Sequence, residues 1–376
     1  MAIVKFGDIV RDVKNNVDRA NNPYEFYVAG DHMDSEDLNI RRRGRFATDD
    51  VGPAFVRIFE PGQILYGSRR TYLKKVAVAD FIGICANTTF VLESKDPKVF
   101  EQRLLPFLML SNAFTEWSIS KSKGSTNPYV LFSDLAGFEF NLPSIDEQKV
   151  LAKKLWAAYE VKQSYLKMID ATDEMVKAQF IEMFGGDNWA QKSLGEVGSF
   201  KRGGGFQKSD FVEHGIPCIH YGQIHTKFGP FISSHITEIS SVLESKTKFA
   251  SKGDLIIAIT SEDAEGSCKS TAWLGDYPVA VGGHAAIYKH SMNPLFMTFF
   301  FKSTAFNHAK MEYIHGAKVV EMRPDDIAKI MVPCPPMSLQ EQFSGIVQKA
   351  DKSKAELRKS IDAIDKVIKS LINENL

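Results

Sequence analysis

The chain has 376 residues, 44% hydrophobic and 24% charged, and its 46 basic and 46 acidic side chains leave a net charge of zero. Such a length carries two or three domains with cores of their own, and the composition excludes a disordered or fibrous chain. A neutral total argues against a generic polyanion binder, although clustered charge can still give one basic face.

The start, Met1-Ala2-Ile3-Val4-Lys5-Phe6, has neither the apolar core nor the cleavage site of a secretory signal. No apolar run approaches the roughly 18 to 20 residues of a membrane span. Cys85, Cys218, Cys268 and Cys334 are scattered, without a CxxC pair. They predict free thiols in a cytoplasmic protein and no metal site.

A first β-rich head, 1–143, opens on Phe6-Gly7-Asp8-Ile9 and alternates short strands with turns. Phe55-Val56-Arg57-Ile58-Phe59, Gln63-Ile64-Leu65-Tyr66 and Thr89-Phe90-Val91-Leu92 read as strands, and Pro61-Gly62 as a turn. Lys98 to Ser118 reads as helical. The head closes on Leu142-Pro143-Ser144-Ile145-Asp146-Glu147-Gln148. A first long helix, 144–186, follows, without internal proline or glycine until Gly185-Gly186 supplies a stop.

The second head, 187–337, repeats the theme from Leu194-Gly195-Glu196-Val197. Gly253-Asp254-Leu255-Ile256 matches Gly62-Gln63-Ile64-Leu65, and Asp326-Ile327 with Ile330 echoes Asp134-Leu135 with Phe138. Pro335-Pro336-Met337-Ser338-Leu339-Gln340-Glu341-Gln342 closes it, and a second long helix, 338–376, ends the chain. The pattern is an α+β protein in which one head-plus-helix unit is written twice.

Each helix carries a heptad seam. In the first, Leu155, Lys162, Ile169 and Val176 take one seam position, with Leu151, Ala158 and Tyr165 on the other. In the second, Val347, Lys354, Ile361 and Ile368 alternate with Ala350, Leu357, Ile364 and Leu371. About 40 residues at 1.5 Å give roughly 60 Å, longer than a small domain, so the helices are expected to pack on each other and on a partner. Lys162 and Lys354 are polar residues at matching seam sites, where such residues fix register at some cost in stability.

No catalytic set emerges. Asn127-Pro128-Tyr129 lacks the second proline and the cofactor loop of an amino-methyltransferase, and reads as a turn. Gly203-Gly204-Gly205 lacks the Lys-Ser/Thr of a phosphate loop. Pro324-Asp325 has no following D/E-x-K, and His214, His220, His225 and His235 show no metal-binding i, i+4 pair.

Basic loops are the informative feature. Arg41, Arg42, Arg43 and Arg45 crowd together and would repel one another without an anion nearby. Ser68, Arg69, Arg70, Tyr72 and Lys74 follow an expected strand, and Lys121, Lys123, Ser125 and Asn127 sit in a small-residue loop. The second head offers Lys201, Arg202, Gly204, Phe206, Gln207 and Lys208, with His315 and Lys318. Cations and hydroxyls in loops suit phosphate contact, while Arg, Gln and Asn have the geometry to read base edges.

In order, the Leu194-Gly195-Glu196-Val197 opening, Lys201-Arg202-Gly203, Ile216-Pro217-Cys218-Ile219 to Tyr221-Gly222-Gln223-Ile224, Gly253-Asp254-Leu255-Ile256, Arg323-Pro324-Asp325-Asp326-Ile327 and Pro335-Pro336…Glu341-Gln342 resemble the specificity subunit of type I restriction–modification enzymes. The resemblance covers the chain and is expected to be stronger in the second half. The first half has Val10-Arg11-Asp12-Val13 where the Lys-Arg-Gly turn would fall.

The resemblance implies two target-recognition domains reading a bipartite, asymmetric DNA target, with half-sites about 10 base pairs apart centre to centre. It adds Tyr221, Gln223 and Arg323 to the candidate DNA contacts. It also implies antiparallel packing of the helices as a spacer, a pseudo-twofold internal repeat, and docking of two methyltransferase subunits, with restriction subunits in the full complex. Catalysis, with S-adenosylmethionine, ATP and Mg²⁺, would belong to those partners, and this chain would be non-catalytic. The competing expectation is a two-headed scaffold for a protein or glycan ligand.

Overall fold

The computed structural model describes residues 2–186, 188–314 and 320–376. The chain forms two compact units, one of Met1–Leu166 with Arg358–Leu376 and the other of Lys167–Leu357. Each contains one head and half of each long helix.

In the first unit, Ala2–Lys5 pairs antiparallel with Glu139–Leu142, so the head ends beside its own beginning. One sheet runs Val10–Asp12, Thr89–Ser94, Ile64–Gly67, Val76–Val78; the other runs Gly44–Arg45, Phe26–Val28, Gly83–Ala86, Phe55–Phe59. The second unit has the same plan. Gln191–Ser193 pairs with Met331–Pro333, and its sheets run Gly198–Arg202, Ala285–His290, Leu255–Ala258, Ser270–Trp273, Phe231–Ile232 and Phe211–Val212, Thr237–Ile239, Ile216–Ile219, Val279–Val281, Lys248–Ala250. Each head has a parallel pair at the same place, Tyr27 opposite Ile84 and Cys218 opposite Ala280.

Gly62 (φ 87°) and Gly253 (φ 93°) turn the chain into Ile64–Gly67 and Leu255–Ala258 through the left-handed region, where a side chain would be strained. Their N–H groups donate to the carbonyls of Ala79 and Trp273. These shared turns fix the internal alignment. Asp12 pairs with Leu92 and Phe200 with Tyr288, while Leu92 and Tyr288 pair with Ile64 and Leu255. The first-head residues equivalent to Lys201-Arg202-Gly203 are therefore Val13-Lys14-Asn15, which overlap the expected Val10-Arg11-Asp12-Val13 only at Val13.

The helical stretch expected from Lys98 to Ser118 is broken. A short 3-10 turn, Gln102–Leu104, precedes helices Leu105–Leu110 and Asn112–Ser120. Ser111 interrupts them because its hydroxyl accepts the Phe114 N–H at 3.1 Å and caps a new helix.

The long helices are Ile145–Phe184 and Met337–Asn375. In the first unit Leu155, Tyr159 and Ile372 join the head's aromatic core of Phe6, Phe114 and Phe138. In the second, Phe180, Phe184, Phe343 and Val347 join Phe296 and Phe300. Lys162 meets Asp365 and Leu151 shares a groove with Leu371 in the first unit; Asp173 meets Lys354 and Phe184 meets Phe343 in the second. Within each unit the helices thus pack antiparallel.

Candidate nucleic-acid interface

Each head is fastened to its helix by a buried glutamine. Gln148 Oε1 accepts the Glu101 N–H at 2.9 Å, and its Nε2 donates to the carbonyls of Val99 (3.1 Å) and Pro143 (2.9 Å). Gln340 accepts the Asn293 N–H and donates to the Pro335 carbonyl, both at 2.8 Å. The repeated element is therefore a proline followed five residues later by glutamine. Glu341 and Gln342, which the sequence set beside Glu147-Gln148, are exposed. Tyr159 adds a second tie in the first unit, accepting from the Leu38 N–H at 2.8 Å and donating to Asp37 at 2.5 Å.

The anions that the Arg41–Arg45 cluster requires are supplied by the chain itself. Arg41 bonds Asp37 at 2.5 Å and also Gln163 on the first long helix. Arg42 pairs with Asp34, and Arg45 with Glu25 at 2.6 Å. The Arg43 guanidinium lies 3.9 Å from the Phe26 ring centre. Burial would push the Asp37 carboxyl up, but the Tyr159 hydroxyl, the Asn39 amide and Arg41 hold it below its ordinary value.

The loops after Gly67 and around Lys123, far apart in sequence, are joined. Arg69 and Tyr129 form a β-bridge, as do Lys123 and Tyr129. Arg70 N–H donates to Pro128 O at 2.7 Å, and Val130 N–H to Ser68 O at 3.0 Å. Arg69, Arg70, Tyr72, Lys121, Lys123, Ser125, Asn127 and Tyr129 are exposed on the joined loops. Ser68 is buried, with its hydroxyl on the Thr88 carbonyl, so it braces the loop instead of facing outward. Lys74 pairs with Glu36 at 3.0 Å and Lys123 with Asp134 at 3.0 Å, while Lys121 sits 4.4 Å from the Trp117 ring centre.

In the second head Lys201, Gln207, Lys208 and Arg323 are exposed. Arg202 bonds Glu321 at 3.0 Å and the Gly283 carbonyl at 2.9 Å. Two candidates are corrected. Phe206 is core, packed with Cys218, Ile239 and Ala280. Gly204 is buried, and a Cβ there would lie 2.6 Å from Lys246 O, so close backbone packing selects glycine. Gln223 is committed locally: Oε1 accepts the His220 N–H at 2.9 Å and Nε2 donates to Thr237 Oγ1 at 2.9 Å. Tyr221 lies against the His220 and exposed His284 rings, at 4.6 and 5.1 Å. Burial, with Lys208 and His284 nearby, lowers the His220 pKa. His315 and Lys318 lie outside the described residues.

The helix candidates fall on the packed stripe. Leu151, Leu155, Ile169, Val176, Val347 and Ile361 are buried, and Tyr165, Leu357, Ile364, Ile368 and Leu371 half-buried. Lys162 meets Asp365 at 2.7 Å, and Lys354 meets Asp173 at 2.5 Å. The sequence seam overlooked Tyr159, Phe180, Phe184, Phe343 and Ile372, all buried in the cores. Aromatic residues at helical spacing before Gly185 were the available signal. Among the described residues, no cluster of His, Cys, Asp and Glu could hold a metal ion, and no helix is long and apolar enough to cross a membrane.

Two β-rich heads of one plan, each built onto an antiparallel pair of long helices, define a duplicated head-plus-helix architecture. Comparison with known proteins agrees. A family model described as the type I restriction modification DNA specificity domain matches residues 14–164. The chain is 25% identical over 170 residues to the EcoDI specificity subunit of Escherichia coli, covering 45% of this chain and 36% of that one. It is 21% identical over 317 residues to the MjaVIII specificity subunit of Methanocaldococcus jannaschii, covering 77% and 73%. A solved chain from work on "complex assembly and conformational transition of the type I R-M system" shares the fold with a TM-score of 0.59 at 19% identity, over 100% of this chain and 97% of that one. Residues 14–164 thus match the type I restriction modification DNA specificity domain, and the chain is similar to type I specificity subunits over as much as 77% of its length. The family-model match lies in the first half of the chain.

Proposed function

We propose that this chain recognises a bipartite, asymmetric DNA target, each head taking one half-site, and that the paired helices dock two methyltransferase subunits and through them restriction subunits. The observation that carries this reading is the single head plan built twice with different loop chemistry: Arg69 and Tyr129 bridge in one head, Thr260 and Glu321 in the other. Two copies of one scaffold with unlike side chains at the equivalent bridge suit a target of two unlike halves. Residues 1–143 and 187–337 would be the recognition domains, and 144–186 and 338–376 the spacer helices.

Phosphate contact would fall to exposed cations such as Lys121, Lys201 and Lys208, which fix position without carrying sequence information. Methyl transfer would be the partners' work, with S-adenosylmethionine, ATP and Mg²⁺ bound there. This chain would hold the duplex in register while a partner flips the target base. Co-expression with the product of the neighbouring gene, pull-down and methylation mapping of host DNA test the reading. A complex of one specificity chain with two methyltransferase chains and a split methylated motif is expected. No partner and no motif would overturn it in favour of a two-headed binding protein.

A further inference from the structure

In the first head, most candidate cations are already occupied. Arg41, Arg42, Arg45, Lys74 and Lys123 hold carboxylates. Arg43 and Lys121 lie over aromatic rings. Arg69 and Arg70 are different: both are exposed, and among the described residues neither has a carboxylate within ion-pair range. Yet their backbone is pinned from two sides. Arg69 bridges Tyr129, and Arg70 N–H is bonded to Pro128 O. Arg70 is also held at φ 52°, ψ 56°, a left-handed conformation that a non-glycine residue adopts only when its surroundings impose it.

Phosphate contact tolerates a mobile cation; base readout does not. A guanidinium fork must meet the O6 and N7 of guanine together, which requires a fixed attachment point. A free fork on a rigid, strained loop has that character.

The second head presents the equivalent loop with other side chains. Val130 N–H donates to Ser68 O in one head, and Met322 N–H to Ile259 O in the other. That register puts Thr260 where Arg69 stands, Ser261 where Arg70 stands and Glu321 where Tyr129 stands. Glu321 is taken by Arg202, and the Thr260 hydroxyl lies 3.2 Å from His284 Nδ1. We propose that Arg69 and Arg70 read guanine in the half-site taken by the first head, and that the second head, with the half-buried Thr260 and the buried Ser261 at the equivalent place, lacks this readout and takes a different half-site sequence. This rests on the DNA-recognition reading above.

The test uses the full chain co-expressed with its methyltransferase partner, and maps methylated motifs for the wild type, Arg69→Ala, Arg70→Ala and the charge-preserving double variant R69K/R70K. Arg11→Ala, which removes a cation paired with Glu93, serves as the control. Each alanine variant is expected to lower methylation at the wild-type motif, or discrimination at a G·C pair within one half-site, by about ten-fold or more. The double lysine variant should do the same although the charge is kept. The other half-site should not change. An unchanged motif in all three variants, or an affected half-site without a G·C pair, would overturn this inference alone. No motif with the wild-type complex would overturn the recognition reading, and this one with it.

Discussion

Replacing Gln148 by leucine should loosen the junction between the first head and its helix. The side chain is 1% exposed and makes three hydrogen bonds, one as acceptor and two as donor. Leucine would strand the Glu101 N–H and the Val99 and Pro143 carbonyls without water to replace their partner. A buried donor left unsatisfied costs about 1–3 kcal/mol, and the carbonyls less, so about 2–4 kcal/mol is expected after the apolar gain of leucine. Gln340→Leu breaks two such bonds and should cost about 1–3 kcal/mol. Hydrogen exchange read by mass spectrometry separates the two variants. Gln148→Leu should accelerate exchange in the peptide containing Glu101 and leave that of Asn293 as in the wild type, and Gln340→Leu should do the reverse. Wild-type protection at Glu101 in the Gln148→Leu protein, with unchanged urea resistance, would refute the anchoring role.

Three further outcomes are expected. Burial holds His290 down to about 4, from 6.5. Its folded pKa is depressed, so the neutral ring costs nothing above pH 6.5, and stability is lost as pH falls from 6.5 towards 4. Between pH 7.5 and 5 this residue alone should remove about 2 kcal/mol; equal pH slopes for the wild type and His290→Gln in urea titrations would exclude it. Lys354 and Asp173 should show a coupling of about 1 kcal/mol in a double-mutant cycle with Lys354→Met and Asp173→Asn, because the lysine end of the pair is largely buried. A coupling of zero would make it an incidental surface pair. The chain without partners should bind duplex DNA weakly, since its dense arginine cluster is neutralised internally. Tight binding with a steep salt dependence, measured by fluorescence anisotropy, would contradict this.

Periodicity and duplication are local properties, which is why the heads, the long helices and their order were legible along the chain. The turns at Gly62 and Gly253, and the echo of Phe138 in Ile330, could be aligned because each recurs at matching places. Register could not. A strand's sequence does not say which neighbour it pairs with, and the offset that sets Val13-Lys14-Asn15 against Lys201-Arg202-Gly203 emerges only from the ladders.

Charge was legible as composition but not as availability. Four arginines in five residues announced an anion, and the sequence could not say that Asp34, Asp37 and Glu25 would provide it. Phe206 looked like part of a basic loop until its ring was found in the core. Conversely, the loops at Arg69 and Tyr129 became one surface only through a β-bridge between segments about sixty residues apart. The sequence by itself determined a duplicated α+β protein of two heads and two long helices. The tertiary structure alone decided which cations stay free, because hydrogen bonds and ion pairs depend on distance in space and not along the chain.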